Sequence, residues 1–235
     1  MAIIQGKPGG SVTDLLFDSV CAAYGAFDSG TTVFFSEEPR PQVHKLQLHV
    51  GSTEFMYKLW ESIGKSPDVP RNCDREHREM TLAEAIEIAT RRQIFVKPFR
   101  KKLFTGTVIS RDTIAQVRVY DSLEKVFVYE PYDRKILSEW RVYVRRGHAD
   151  GQKHCPVFCA NYAGDPMKFP SEDFVKAKVS ENSDFPSAYV MDVAVFKDGH
   201  CDVVEYNDMW AIGNYGLDNQ TYYSMLKQRY FEIVL

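Results

Sequence analysis

The stretch AYVMDVAVFKDGHCDVVEYND, Ala188 to Asp208, constrains this chain more than any other. Two runs rich in Val, Ala and Tyr flank Asp198-Gly199, a dipeptide that tolerates positive φ at both centres of a type I′ turn, so 188–197 and 200–207 read as a tight antiparallel hairpin. A two-residue turn sets Lys197 opposite His200. Counting back from that pair puts Asp192 opposite Glu205, with Asn207 two residues on and on the same face. Like charges directly opposed destabilise a sheet, so the pair calls for a cation, and an all-oxygen set suits Mg²⁺ carried with a nucleotide's phosphates. A solvated sheet face with polar residues at alternate positions is the other reading. Against it stands the opposite face, Met191, Val193, Val195, Val204 and Tyr206, whose apolar character indicates strands covered on both sides.

Lys197-Asp198-Gly199 also resembles the lysine signature of covalent nucleotidyl transfer. That signature has one residue between Lys and Asp-Gly, and here there is none. Lys197 therefore reads as a solvated residue flanking a turn.

With 235 residues and 44% hydrophobic content, the chain can bury a sizeable core as one large or two small domains. Its 29 basic and 32 acidic residues leave a net charge of -3, so no global field recruits nucleic acid or an anionic membrane. Cys21, Cys73, Cys155, Cys159 and Cys201 are odd in number. There is no signal-peptide pattern and no apolar run approaching the ~18 residues of a membrane span, so a cytoplasmic, reducing location is expected. HCPVFC, His154 to Cys159, invites a zinc reading, but the Cys-to-Cys gap is unusual and no second pair follows, which favours ordinary buried or edge-strand cysteines.

Along the chain, TDLLFDSVCAAYGAF reads as a helix, TTVFF as a strand, SEEPRPQ as a loop and VHKLQLHV as a second strand. Phe55, Met56, Leu59, Trp60 and Ile63 fall on one helical face, ended by Gly64. Thr81 to Glu84 is a capping box opening a further helix. After Arg92 come the short strands QIFVKP, GTVIS, IAQVRVY, KVFVYE, EWRVYV and PVFCANY, then the hairpin, then a Tyr-rich helix from about 219 to 231. The expected organisation is α+β: a small α/β region over 1–90 and a larger, mainly antiparallel region over 91–235.

Two segments offer phosphate-facing groups. In FVKPFRKKLFTGTVIS, Lys97 ends an apolar strand and is followed by the basic cluster Arg100, Lys101 and Lys102, then Thr105-Gly106. An ammonium and the N–H groups of a Gly-containing turn can meet a phosphate chain, although basic loops of this kind are commonly just solvated. In VFVYEPYDRKILSEWRVYV, a short connection carries Glu130 and Asp133, and Arg141 alternates with apolar neighbours on a sheet face. If that face holds Asp192, Glu205 and Asn207, Arg141 can neutralise a phosphoryl group or oxyanion; a structural ion pair is the other reading.

In this order, the residues from about 91 to 218 resemble the ATP-grasp superfamily: a strand lysine, a basic Gly-containing loop, a hinge Glu, EWRVYV, then Asp, twelve residues, Glu, any residue, Asn. FVKP with LFTG and EWRVYV look most like a phage- and bacteria-associated clade named for one arginine and two lysines, and VGSTEFMYKLWESIG extends the likeness toward residue 50. The resemblance implies an ATP-grasp fold, ATP and Mg²⁺ as cofactors, and a ligase that joins a small-molecule or peptide carboxylate to an amine through an acyl phosphate. It further implies α/β-phosphate binding by Lys97, a second phosphate lysine at Lys102 or Lys101, and a nucleotide hinge at Glu130 with the Tyr129 backbone. Arg141 would stabilise the transition state, and Asp192, Glu205 and Asn207 would hold Mg²⁺. NDMWAIGNYG departs from relatives in which the metal Asn precedes a small residue and Pro-Gly, so the acceptor side is not implied. A nucleotidyltransferase or nucleic-acid ligase, and a non-catalytic nucleotide-binding module, remain as alternatives.

Overall fold

The computed structural model describes residues 1–7, 16–67, 69, 73–99, 103–147 and 153–235. Contacts divide the chain into two compact units: Met1–Cys73 with Ile136–Leu235, and Asp74–Lys135. The boundary expected near residue 90 therefore falls inside the second unit. The change of composition after Arg92 marks a helix giving way to strands of the same sheet.

The first unit opens with β1 (Ala2–Gln5), α1 (Phe17–Asp28), β2 (Val33–Ser36), β3 (Leu48–Val50) and α2 (Thr53–Ser62). The three strands form a parallel sheet in the order β2-β1-β3. Its central strand, AIIQ, escapes the sequence reading because Ala2, Ile3 and Ile4 are all buried, on both faces, and so short a run shows no alternation. VHKLQLHV is a strand only over Leu48–Val50. Pro41 opens a 3₁₀ turn over Pro41–Val43, and His44 donates from Nδ1 to the Pro41 carbonyl at 2.6 Å. In α2 the expected Phe55, Met56, Leu59 and Trp60 are buried, and the Ser52 hydroxyl caps the Phe55 N–H.

The second unit contains β4 (Arg78–Thr81), α3 (Leu82–Ala89), β5 (Ile94–Pro98), β6 (Thr107–Ile109) and β7 (Lys125–Tyr129). They form an antiparallel sheet in the order β4-β7-β5-β6. The capping box is present: the Thr81 hydroxyl accepts from the Glu84 N–H, and the Glu84 carboxylate accepts from the Thr81 N–H at 2.8 Å. Leu82, Ala85 and Ala89 of α3 pack on Ile94, Val96, Ile109, Val126 and Val128. IAQVRVY is not a strand. Ile114–Gln116 form a 3₁₀ turn, and Ile114 and Val117, three apart, both turn into this core.

The first unit continues with β8 (Ile136–Arg146), β9 (His154–Gly164), α4 (Glu172–Glu181), β10 (Ala188–Phe196), β11 (Cys201–Asp208) and α5 (Asn219–Val234). The four strands are antiparallel in the order β11-β10-β8-β9. One face carries Trp140, Val142, Tyr189, Met191, Val193 and Tyr206 into one core. From the other face Tyr143, Ala188 and Val190 join the core built with α1, α2 and α5. Gly25 lets α1 and α5 close: a Cβ there would lie 2.0 Å from the Asn219 carbonyl oxygen. α4 escapes the sequence reading too, since Val175 and Val179 are its only buried residues and leave a faint periodicity.

The hairpin reaches its expected site register by a different route. Phe196 N–H donates to the His200 carbonyl at 2.9 Å and Gly199 N–H to the Phe196 carbonyl at 3.0 Å, so the loop is the three residues Lys197, Asp198 and Gly199, with Gly199 at φ +82°. That loop pairs Val195 with Cys201 and Val193 with Val203. A bulge then leaves Val204 without an opposite residue and restores the pairing of Asp192 with Glu205 and Val190 with Asn207. Val203, not Val204, is the buried residue on the apolar face.

Candidate nucleotide and metal site

Register places Glu205, Asp192, Arg141 and Ala160 in one row across the four strands β11, β10, β8 and β9. Arg141 and Asp192 are only 9% and 2% exposed. The guanidinium donates from Nε to Asp192 Oδ1 at 2.9 Å and from Nη2 to Oδ2 at 2.8 Å, a bidentate pair. The cation that the opposed carboxylates call for is therefore supplied first by the chain itself. Burial works against the charge on Arg141, but its hydrogen bonds to Asp192 and that residue's charge outweigh it and hold its pKa above the usual value. Asn207 Nδ2 donates to Asp192 Oδ2 at 3.4 Å, so Glu205 and Asn207 of β11 lie beside Asp192 on one side while Arg141 holds it from the other.

Two aromatic rings that the sequence did not single out complete the face. Tyr215 and Tyr162 lie 4.5 and 5.2 Å from the Arg141 guanidinium carbon, measured to the ring centroids. The Tyr162 hydroxyl donates to the Glu139 carboxylate. Burial first, then the Asp192 charge and the bond to Glu139, push the Tyr162 pKa upward, so its hydroxyl stays protonated and donating at neutral pH. Tyr162 is hidden in the sequence because β9 slips register twice against β8, and Tyr215 because its backbone angle leaves no pattern there.

Glu205, Asp192 and Asn207 supply carboxylate and amide oxygens and no nitrogen or sulfur ligand, which fits Mg²⁺. A carboxylate has about four lone-pair positions, and Arg141 uses one on each Asp192 oxygen. Among the described residues no group of three or more His, Cys, Asp or Glu could hold a metal. His154, Cys155 and Cys159 sit along β9 with free thiols and belong to no such group.

In the second unit Lys97 is on β5, opposite Phe127 of β7. Alternation sends Val96 into the core of α3 and Lys97 to the other face, among Phe95, Phe99, Phe127, Tyr129 and His77, whose neighbouring ring centroids are 4.9–6.4 Å apart. Gly106 lies against the Phe95 ring, where a Cβ would come within 2.6 Å of it. Thr105, just before it, is exposed. Lys101 and Lys102 lie outside the described residues. Tyr129 ends β7 and is buried, and Glu130 follows it, exposed. The Glu130 carboxylate pairs with Arg92, and its carbonyl accepts from Arg75, whose guanidinium stacks 3.8 Å from the Tyr132 ring centroid. Arg75, Arg92, Tyr129 and Glu130, with His77, line a cleft of about 480 Å³. Arg75, Arg92 and His77 have no motif to mark them. Asp133 is exposed and 3.4 Å from Arg134. Lys197 is exposed in its turn, as expected.

The fold is that of known ATP-grasp structures. A carboxyaminoimidazole ribonucleotide synthase from Aspergillus clavatus, complexed with ATP, superposes with a TM-score of 0.60 at 12% identity over 97% of this chain and 76% of that one. D-cycloserine synthetase DcsG gives 0.56 at 13% identity over 98% and 100%. D-alanine–D-alanine ligase from Bacillus anthracis gives 0.50 at 11% identity over 99% and 97%. No curated protein sequence matches the chain. A family model described as an ATP-grasp domain, the second family of the clade named for one arginine and two lysines, matches residues 73–225. That is more than half of the chain and the whole span from β4 to the first turns of α5, so the chain belongs to the ATP-grasp superfamily within that clade.

Proposed function

We propose that the protein is an ATP-dependent ligase that phosphorylates a carboxylate and lets an amine displace the phosphate, forming an amide and releasing ADP. The observation that carries this reading is the row Glu205, Asp192 and Arg141 with Asn207 beside it, a buried face whose oxygens and guanidinium suit a phosphoryl group and its metal. Its structural likeness to synthetases and ligases that share its fold supports the same class.

In this reading Lys97 holds the α/β-phosphates, with Lys101 or Lys102 as the second phosphate lysine and the Thr105-Gly106 turn lending backbone N–H groups. Tyr129 and Glu130, with Asp133 on the same connection, hold the nucleoside. Asp192, Glu205 and Asn207 hold Mg²⁺, which when bound neutralises phosphate charge and orients the γ-phosphoryl group. A donor carboxylate oxygen attacks the γ-phosphorus as the bond to the β-bridging oxygen breaks. Arg141 faces the negative charge that develops in that step and again when the amine nitrogen attacks the acyl carbon and phosphate leaves. Lys197 is exposed in its turn and lacks the residue that separates Lys from Asp-Gly in the nucleotidyl-transfer signature, which counts against a covalent adenylyl intermediate on it.

The test is which bond of ATP breaks. With a competent acid and amine, turnover yields ADP and phosphate, and oxygen-18 in the donor carboxylate appears in the released phosphate. AMP and pyrophosphate, or a covalent adenylyl–protein adduct lost in Lys197→Ala, would replace this reading with nucleotidyl transfer.

A further inference from the structure

We infer that Tyr215 is a positioning residue that acts through Arg141; the inference rests on the proposed role of Arg141 toward a phosphoryl group. Tyr215 is the one non-glycine residue at positive φ among those described, at +48°. An L side chain avoids that region, and such conformations persist where the surroundings over-determine them, often at functional sites. The surroundings here come from three elements. The Tyr143 hydroxyl of β8 donates to the Gly213 and Asn214 carbonyls, the Tyr222 hydroxyl of α5 to the Ile212 carbonyl at 2.6 Å, and the Asn214 N–H to Asp18 of α1 at 2.8 Å. The Asn214 side chain then ties its own loop, accepting from Gly216 N–H and donating to the Leu217 carbonyl, both at 2.8 Å.

This scaffold does not bury the residue it strains. Tyr215 remains 49% exposed while its ring lies over Arg141, and it meets Tyr162 edge-on at 6.0 Å. A tyrosine kept for packing would be buried and would need no left-handed backbone. The guanidinium is thereby held along one edge by Asp192 and against two rings, leaving Nη1 as the donor outside the Asp192 pair. A charge fixed in direction before substrate arrives needs no reorganisation during the reaction. The hydroxyl of Tyr215 plays no part in this, so phenylalanine should replace it.

Nuclear magnetic resonance of the ¹⁵N-labelled full chain tests the inference, with the Arg141 Nε and Nη signals assigned by their loss in Arg141→Lys. Tyr215→Gly removes the ring while relieving the backbone, so the fold stays intact. The expected result is separate Nη signals in wild type and Tyr215→Phe, and their merging with a shifted Nε–H in Tyr215→Gly. Separate Nη signals persisting in Tyr215→Gly, or lost in Tyr215→Phe, overturn the inference. Calorimetric titration of the wild-type chain with Mg·ATP reads the ligase proposal separately: absence of ATP binding would remove that proposal, while the Arg141 signals would still report whether the ring holds the guanidinium.

Discussion

Two arginine–carboxylate contacts, one in each unit, behave as opposites. Arg141 and Asp192 leave 11% and 2% of their side chains exposed and are fixed by neighbouring strands, whereas Arg92 and Glu130 leave 46% and 72% exposed beside a connection. Removing one partner of the first strands a buried charge; removing one partner of the second hands it to water. The chain thus couples its catalytic candidates to stability on the sheet face of the first unit and keeps its nucleoside-side candidates free of that coupling.

Asp192→Ala is the strongest way to break the contrast. It should cost about 3–5 kcal/mol of stability by leaving Arg141 unpaired, read as a drop in urea midpoint, and abolish turnover. A loss no larger than that of a surface variant would mean the pair contributes nothing to the fold.

Acidification probes the same unit without mutation. Burial, outweighing its backbone hydrogen bonds, lowers the His49 pKa from the ordinary 6.5 to about 4. The unfolded chain then binds the extra proton between those values, so stability is complete above about pH 6.5 and falls as pH drops toward 4. Moving from pH 7 to pH 5 should cost about 2 kcal/mol from this residue, and His49→Gln should flatten that slope. An unchanged slope in the variant would place the sensitivity elsewhere.

In the second unit Thr81→Ala removes the hydroxyl half of the capping box and should cost about 1 kcal/mol, seen as faster amide exchange in α3. The smallest stability effects belong to the proposed nucleotide residues. Glu130→Ala should change stability by less than about 1 kcal/mol. Lys97→Ala should likewise leave the midpoint in place while sharply weakening ATP binding by calorimetry. A large stability loss in either would erase the distinction between the two regions.

How much of this is legible in the sequence follows the same division. Period-two alternation in β8 and β10 announces which side chains share a face, and Asp192, Glu205, Asn207 and Arg141 do share one. Ser52, Thr81 and Glu84 announce helix starts through local hydrogen bonding. β1 and α4 are lost, the first for want of alternation and the second for want of apolar anchors. Arg75, Tyr162 and Tyr215 reach their partners through tertiary placement, which leaves no local pattern. IAQVRVY shows the reverse failure: two buried residues three apart belong to a turn, and the alternating valines around them are misleading.

The bulge at Val204 has a practical corollary for anyone who edits the hairpin. Two one-residue irregularities, an extra residue in the turn and an unpaired one in β11, act as opposite phase slips. Deleting Val204 would only close the bulge: Val203 stays opposite Val193 and Glu205 stays opposite Asp192, so no side chain changes face. Deleting Tyr206 instead would bring Asn207 opposite Met191 and turn it toward the apolar face, so the hairpin tolerates loss of its bulged residue and punishes loss of a paired one.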